Sequence, residues 1–294
     1  MKQQKQTLKY FNENAAVWDQ KASSAQFNVI DNRHKAVFEV MNKYAKAGKL
    51  LDIGCGTGQL VIEAANNGWK SVGIDYASSM IEICKLNAGV DNKRIEFYCA
   101  SIFDYDVLES EYDVISAQGL IEYISHDELN ILLKKVSSGL KDGGSIALGS
   151  RNRLFNLHSL NEYSTLELKL GVIDKLMHES IILQNAVSQS EAIEKLSKLE
   201  YHYIHPNNHP ETGIKVSRRF QFSPADLMGR LIDCGLSPTR IFPVNFHGLP
   251  LSVLTNKEFK PLHLEMAELI GKKYINSPTF IPFSSSFVIE AKKI

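Results

Sequence analysis

Cysteine is scarce in this chain. The four among 294 residues, Cys55, Cys84, Cys99 and Cys234, form no CxxC pair. A disulfide framework and a clustered zinc site are therefore disfavoured, no metal is expected, and reduced core thiols are the simpler reading. Glycine and proline are also sparse, at 18 and 9 residues, below the usual share of roughly 12% of a chain. Long low-complexity linkers are not expected. No apolar run approaches the roughly 18 to 20 residues that span a bilayer, and the first ten residues, MKQQKQTLKY, lack the apolar segment of a secretory signal. The expectation is a soluble, cytoplasmic protein without a membrane partner. Charge of one sign is missing too: 33 Lys and Arg balance 33 Asp and Glu, which argues against a nucleic-acid surface.

What is present is ordinary globular composition, 44% hydrophobic and 22% charged, in a chain short enough for one α/β domain with insertions. Apolar periodicity predicts two amino-terminal helices, over 5–20 and 31–46, the second carrying Ile30, His34, Val37, Val40 and Met41, with Gly48 as its stop. The pattern then alternates. KLLDIG, SVGIDY, IEFYCA, YDVISAQ and SIALGS read as five strands, separated by helical stretches from about residue 58, at MIEICKLNA and after the fourth strand. Such alternation predicts βαβ units: an α/β fold with a mostly parallel sheet and helices on both faces.

After Arg151 the rhythm breaks. Residues 154–200 look helix-rich and 201–222 irregular; αβ order resumes at SPADLMGRLIDCGL, a helix with Ser223 as N-cap and Pro224 in its first turn. TRIFPVNF and SSSFVIEAKK read as strands six and seven, with a helical segment around EFKPLHLEMAELIGKKY between them. The organisation expected is one domain: a helical cover over 1–47, a core over 48–150, an insert over 151–222 and the end of the sheet over 223–294. An insert after the fifth strand falls at the carboxyl edge, where open α/β sheets bind ligands, and is a candidate lid.

The most informative segment is LDIGCGTGQL. Gly54, Gly56 and Gly58 follow a strand end, where glycine permits a tight turn and close approach of a ligand to the backbone. Asp52, two residues before the first glycine, would repel a pyrophosphate but attract an ammonium group. Asp75 ends the second strand, 17 residues beyond Gly58, where a carboxylate can accept hydrogen bonds from both hydroxyls of a ribose. In AQGLIEYISHDEL, Ser125 and Glu128 have capping-box spacing, which fixes where the loop after the fourth strand faces the ligand.

These residues, and the order of elements, resemble the class I S-adenosylmethionine-dependent methyltransferases. The resemblance is good over residues 48–150 and looser over the last two strands. It implies a seven-stranded, mostly parallel sheet with S-adenosyl-L-methionine as cofactor. Asp52 and the backbone of Gly54 and Cys55 would hold the methionine portion and Asp75 the ribose. Tyr76 and Met80 would flank the adenine, Ser101 and Ile102 would meet its edge, and Gln118 would lie beside the sulfonium. Where the family commonly has Gly-Asp, this chain has Ala100-Ser101, so a hydroxyl replaces the usual carboxylate. The leader YFNENAAVWDQKAS is similar to that of the small-molecule, ubiquinone-biosynthesis-type branch: Tyr10, Phe11 and Trp18 would cover the cofactor or serve as core aromatics, and Arg33 would bind its carboxylate.

A thiol nucleophile at Cys55 is disfavoured, since no neighbouring base is apparent. Arg151, Arg153, Lys215, Arg218 and Arg219 gather positive charge that either receives an anionic small-molecule acceptor or forms a solvated face. Histidine titrates near neutrality, so His158, His205, His209 and His247 are general-base candidates, with Tyr123 as a further catalytic candidate. His205 and His209 are four apart, but Pro206 precludes an ordinary helix and with it a helical metal pair. The reading is methyl transfer to a small molecule, oxygen favoured over nitrogen, by a monomer or homodimer that releases S-adenosylhomocysteine. Alternatives are an NAD-dependent oxidoreductase, which would want GxGxxG, and a noncatalytic cofactor-binding regulator.

Overall fold

Seven runs rich in β-branched and aliphatic residues form one sheet. In the computed structural model, which describes every residue except 1, 25–28, 90–91, 201–202, 207–209, 211–215, 217–218 and 254–257, these strands are β1 (Lys49–Ile53), β2 (Lys70–Asp75), β3 (Ile95–Cys99), β4 (Tyr112–Gln118), β5 (Leu140–Arg151), β6 (Leu236–Phe246) and β7 (Ser284–Lys293). The sheet order is β3-β2-β1-β4-β5-β7-β6. β1 to β5 run parallel, and β7 is inserted antiparallel between β5 and β6. From β1 the chain moves outward to β2 and β3, then returns to the other side of β1 as β4. The crevice at that reversal, at the carboxyl ends of β1 and β4, is where such sheets bind ligands.

Both faces are covered, as a parallel sheet requires. Alternation along the strands sends Leu50 and Val114 to one face, against Ala36, Val37 and Val40 of α2 (Val29–Met41). Leu51 and Ile115 go to the other, where Leu129, Leu132 and Val136 of α5 (His126–Gly139) join them. The remaining helices of the alternating region are α1 (Lys2–Ala22), α3 (Gln59–Asn66) and α4 (Ser78–Ala88). α5 opens with the expected box: Glu128 N–H donates to Ser125 Oγ at 3.2 Å and Ser125 N–H to Glu128 Oε2 at 2.7 Å. The insert folds as α6 (Asn156–Ser159), α7 (Glu162–Lys169), α8 (Ile173–Asn185) and α9 (Gln189–Ser197); α10 (Pro224–Asp233) and α11 (Lys260–Lys273) complete the chain.

Two expectations need correction. The second helix stops at Met41, well short of Gly48, because Tyr44 draws the chain back to the sheet: its hydroxyl donates to Asp113 O at 2.9 Å and its ring packs on Trp69. Gly48 instead leaves room for the Asp113 carboxylate, which a side chain there would meet. Nor do the insert helices form a lid. Leu176, Leu183, Ala192 and Leu196 of α8 and α9 are buried in the main core, and the described insert residues that reach the cavity below are Arg151 and Arg219. No helix among the described residues is long and apolar enough to cross a membrane.

The cap offers a direct check on the local argument. Ser125→Ala should lower the unfolding free energy by about 1 kcal/mol, and Glu128→Ala should cost less in that background than in the wild type. Urea denaturation of the four proteins reads this coupling; equal losses in both backgrounds would show that the two bonds act independently.

Candidate functional site

A cavity of about 550 Å³ opens at the carboxyl ends of β1, β2, β4 and β5 and is walled on the other side by α1 and α2. The glycine loop forms its floor. Gly54 and Cys55 N–H groups both donate to Ile74 O, at 2.8 and 3.0 Å, which ties the loop to β2. Gly54, Cys55 and Gly56 line the cavity, whereas Gly58 does not. Gly58 lies behind the loop at the start of α3 with φ +88°, where a Cβ would stand 3.0 Å from both Cys84 Sγ and Phe97 Cζ. Its role is the turn itself. The Cys55 thiol is pushed well above its usual pKa by its hydrogen bond with Cys84 and by burial, which opposes formation of the thiolate that a nucleophile needs.

Two acids face this floor. Asp52 is 3% exposed and one of its carboxylate oxygens, Oδ1, has no hydrogen-bond partner. Burial pushes its pKa up to about 7, with the Ser116 hydrogen bond opposing and the nearby Asp75 charge adding to the rise. Asp75, at the end of β2, accepts hydrogen bonds from Ala77 N–H at 2.9 Å and Gly56 N–H at 3.1 Å. Burial outweighs those bonds and pushes it up to about 6. Tyr76, Met80, Ser101, Ile102 and Gln118 line the walls beyond. Gln118 Nε2 donates to Ala147 O at 2.8 Å, and its Oε1 is buried without a partner.

The amino-terminal cover is partly as expected. Trp18 and Phe11 line the cavity while Tyr10 does not; Tyr10 packs edge-on against Phe11 at 5.4 Å. At helical spacing the inward face falls on Phe11, one residue on. Phe11 also meets Tyr123 at 5.3 Å, and Trp18 Nε1 is buried without a hydrogen-bond partner. α1 is fastened down by Asp19, which accepts from Gln59 at 3.0 Å and Asn87 at 2.9 Å.

On the far side of β4 from the glycine loop, the 3-10 turn Ile121–Tyr123 puts Glu122 among three arginines. Arg219 Nε donates to Glu122 Oε2 at 2.5 Å, and Arg33 Nη2 lies 3.5 Å from Oε1 and donates to Ser286 Oγ at 3.1 Å. Although burial opposes ionisation, the charges of Arg219, Arg33 and Arg151 hold the Glu122 carboxyl below its ordinary pKa. Gly119, at φ +67°, makes room for this cluster: a Cβ there would stand 2.5 Å from Arg33 Nη1. Arg33, Arg151, Arg219 and Tyr123 all line the cavity. Burial and Glu122 push the Tyr123 phenol upward, which keeps its hydroxyl protonated.

Several expected site residues lie elsewhere. Arg153 is buried away from the cavity, bidentate to Glu167 at 2.9 and 2.7 Å. His205 pairs with Asp226 Oδ2 at 2.8 Å, and His247 packs between Phe155 and His263; neither lines the cavity, and burial brings His247 down to about 4. His158 packs on Phe283, also outside it. His209 and Arg218 lie outside the described residues, as does Lys215. The one histidine among the described lining residues is His34, which burial lowers to about 4. Ile30, Arg33 and His34 all reach the cavity, and their i, i+3, i+4 spacing on one helix face was the signal for it.

Residues 50–144 match the model of a family described as a methyltransferase domain. Over 105 residues, 36% of the chain, it is 33% identical to a ubiquinone biosynthesis O-methyltransferase of Nitrobacter winogradskyi and covers 39% of that protein. A Coxiella burnetii protein of the same name is 26% identical over 53% of this chain and 69% of its own. A carboxy-S-adenosyl-L-methionine synthase of Helicobacter hepaticus is 28% identical over 38% of the chain and 49% of its own. The chain thus spans about two fifths of the first curated relatives it matches. Among solved structures, an S-adenosylmethionine-dependent methyltransferase of Methanosarcina mazei has TM-score 0.53 at 20% identity, covering 87% of this chain and 97% of that one. Magnesium protoporphyrin IX methyltransferase of Synechocystis has TM-score 0.56 at 14% identity, covering 100% and 98%. Sheet order and structural neighbours agree: the chain has the fold of the class I S-adenosylmethionine-dependent methyltransferases, and its residues 50–144 are similar to a methyltransferase domain.

Proposed function

We propose that this chain transfers a methyl group from S-adenosyl-L-methionine to a hydroxyl of a small-molecule acceptor and releases S-adenosylhomocysteine. The observation that carries the proposal is the pair of buried acids, Asp52 and Asp75, at adjacent strand ends around one cavity, the first with an unpartnered carboxylate oxygen. An ammonium group answers the first acid and ribose hydroxyls the second; a pyrophosphate in the same place would meet repulsion from both. The resemblance of the glycine loop to the family adds that Gly54 and Cys55 hold the methionine portion, and Tyr76, Met80, Ser101 and Ile102 the adenine. When bound, the cofactor supplies an electrophilic methyl on a sulfonium.

The chain's own part is placement and exclusion of water. Phe11, Trp18 and Tyr123 wall the cavity with apolar surface, and Gln118 orients groups near the end of β4. A hydroxyl acceptor must lose a proton, and the neutral imidazole in reach of the cavity is His34. His34 is assigned as its acceptor. Its lowered basicity keeps it unprotonated at neutral pH, at some cost in proton affinity.

Three outcomes follow. Asp52→Ala and Asp75→Ala should each weaken S-adenosylhomocysteine binding by roughly 1.5 to 3 kcal/mol, the range for a hydrogen bond to a charged group; wild-type affinity of both variants in calorimetry would refute the cofactor assignment. Both acids must be ionised to bind, and in the free protein they titrate at about 7 and about 6. Affinity should therefore rise as pH increases from 5.5 to 8 and level off above the higher value, with Asp52→Asn flattening the upper part. A flat wild-type profile contradicts this. Finally, with labelled cofactor and a panel of hydroxylated, carboxylated and amino acceptors, a hydroxyl compound should be methylated, and His34→Gln should lower kcat with S-adenosylhomocysteine affinity unchanged. If His34→Gln loses that affinity instead, the residue belongs to the cofactor and not to proton transfer.

A further inference from the structure

We infer that the acceptor is a carboxylic acid whose carboxylate is bound by the Arg151 guanidinium beside Arg219, on the far side of β4 from the glycine loop. The inference rests on the methyltransferase reading and names the class of acceptor within it.

The cavity wall there holds three guanidinium groups against one carboxylate. Glu122 pairs with Arg33 and Arg219. Arg151 is left without an ion-pair partner among the described residues, and its buried Nε makes no hydrogen bond. This is not a solvated face: the Arg33, Arg219 and Glu122 side chains are 10%, 13% and 2% exposed. A guanidinium removed from water without a counter-ion is costly, and Arg151 responds by a downward shift of its pKa through burial. Such a surplus is stabilised when an anion from outside completes it.

Charge and shape select the anion. Three positive groups less one leave two in excess. If Arg33 takes the carboxylate of the cofactor, as the family resemblance implies, one unit remains at Arg151 and Arg219. A singly charged, planar carboxylate matches that remainder and the guanidinium fork, where a phosphate dianion would overcompensate it. Aromatic rings hold both guanidinium groups in place: Tyr163 of α7 lies 5.8 Å from Arg151 and Tyr123 lies 5.6 Å from Arg219. The Tyr163 hydroxyl is itself buried without a hydrogen-bond partner, a second orphaned donor on the residue that packs against Arg151. Between this end and the glycine loop, the Phe11 and Tyr123 rings offer an apolar wall for the body of the acceptor.

The test is calorimetry on the full chain saturated with S-adenosylhomocysteine. The probes are 4-hydroxybenzoate, 4-hydroxyphenylacetate and 3-hydroxybutyrate, each against its primary amide, with phenyl phosphate as the phosphate arm. At least one acid should bind about tenfold or more tightly than its amide, the effect of one charge-assisted pair. Arg151→Gln should erase that preference and Arg151→Lys should restore part of it, with S-adenosylhomocysteine affinity and thermal unfolding midpoint close to wild type in both. Acids bound no better than amides, a preference that survives Arg151→Gln, or phenyl phosphate bound more tightly than any acid would each overturn the inference while leaving the cofactor assignment standing. Failure of S-adenosylhomocysteine itself to bind the wild type would overturn the reading beneath it.

Discussion

Two carboxyl groups buried side by side at the ends of β1 and β2 are the constraint from which the rest follows. Neither has a cationic partner among the described residues; Asp75 is held by backbone N–H groups and Asp52 keeps a lone oxygen. Burial therefore holds each above its ordinary pKa, and the Asp75 charge adds to the cost of ionising Asp52. A fold optimised for stability alone would place aliphatic side chains there, as it does at Leu51 and Ile53 on either side of Asp52. Under the proposed function, a ligand that brings positive charge and hydroxyl donors completes the site.

The cavity is polarised along the sheet. Acids gather at β1 and β2, and arginines gather past β4 at β5 and in the segment that returns from the insert. The loop after β4 separates them, and Gly119 lets that loop pass close to Arg33. A zwitterionic, sulfonium-bearing donor at one end and an anionic acceptor at the other would each be answered by opposite charge, with the apolar rings of α1 between. The whole-chain net charge of zero hides this separation.

Much of the scaffold was legible because its signals are local. The alternation of KLLDI, KSVGID and YDVISAQ with amphipathic segments is set by neighbours in sequence, and β7 falls on SSSFVIEAKK as read. The Ser125–Glu128 box and the Ser223 cap are likewise local, each spanning four residues. What sequence could not settle is which polar group meets which. Arg153 is taken by Glu167 and His205 by Asp226, partners that the fold of the insert supplies. Glu122 was in plain view inside AQGLIEY, but its role depends on Arg33 and Arg219, which lie far off in the chain. Gly48 and Gly58 show the same limit: a glycine signals a backbone need, and the structure decides whether that need is a stop, a turn or a close neighbour.

The central claim concerns the ionisation of Asp52, and it can be observed directly. Carbon-13 NMR of the Asp52 carboxyl, titrated in the free protein and again with S-adenosylhomocysteine bound, reports the pKa in each state. The account predicts a midpoint near 7 in the free protein that falls toward the ordinary aspartate value of about 4 when the ligand's ammonium is in place. A midpoint that stays put, or rises, would contradict it.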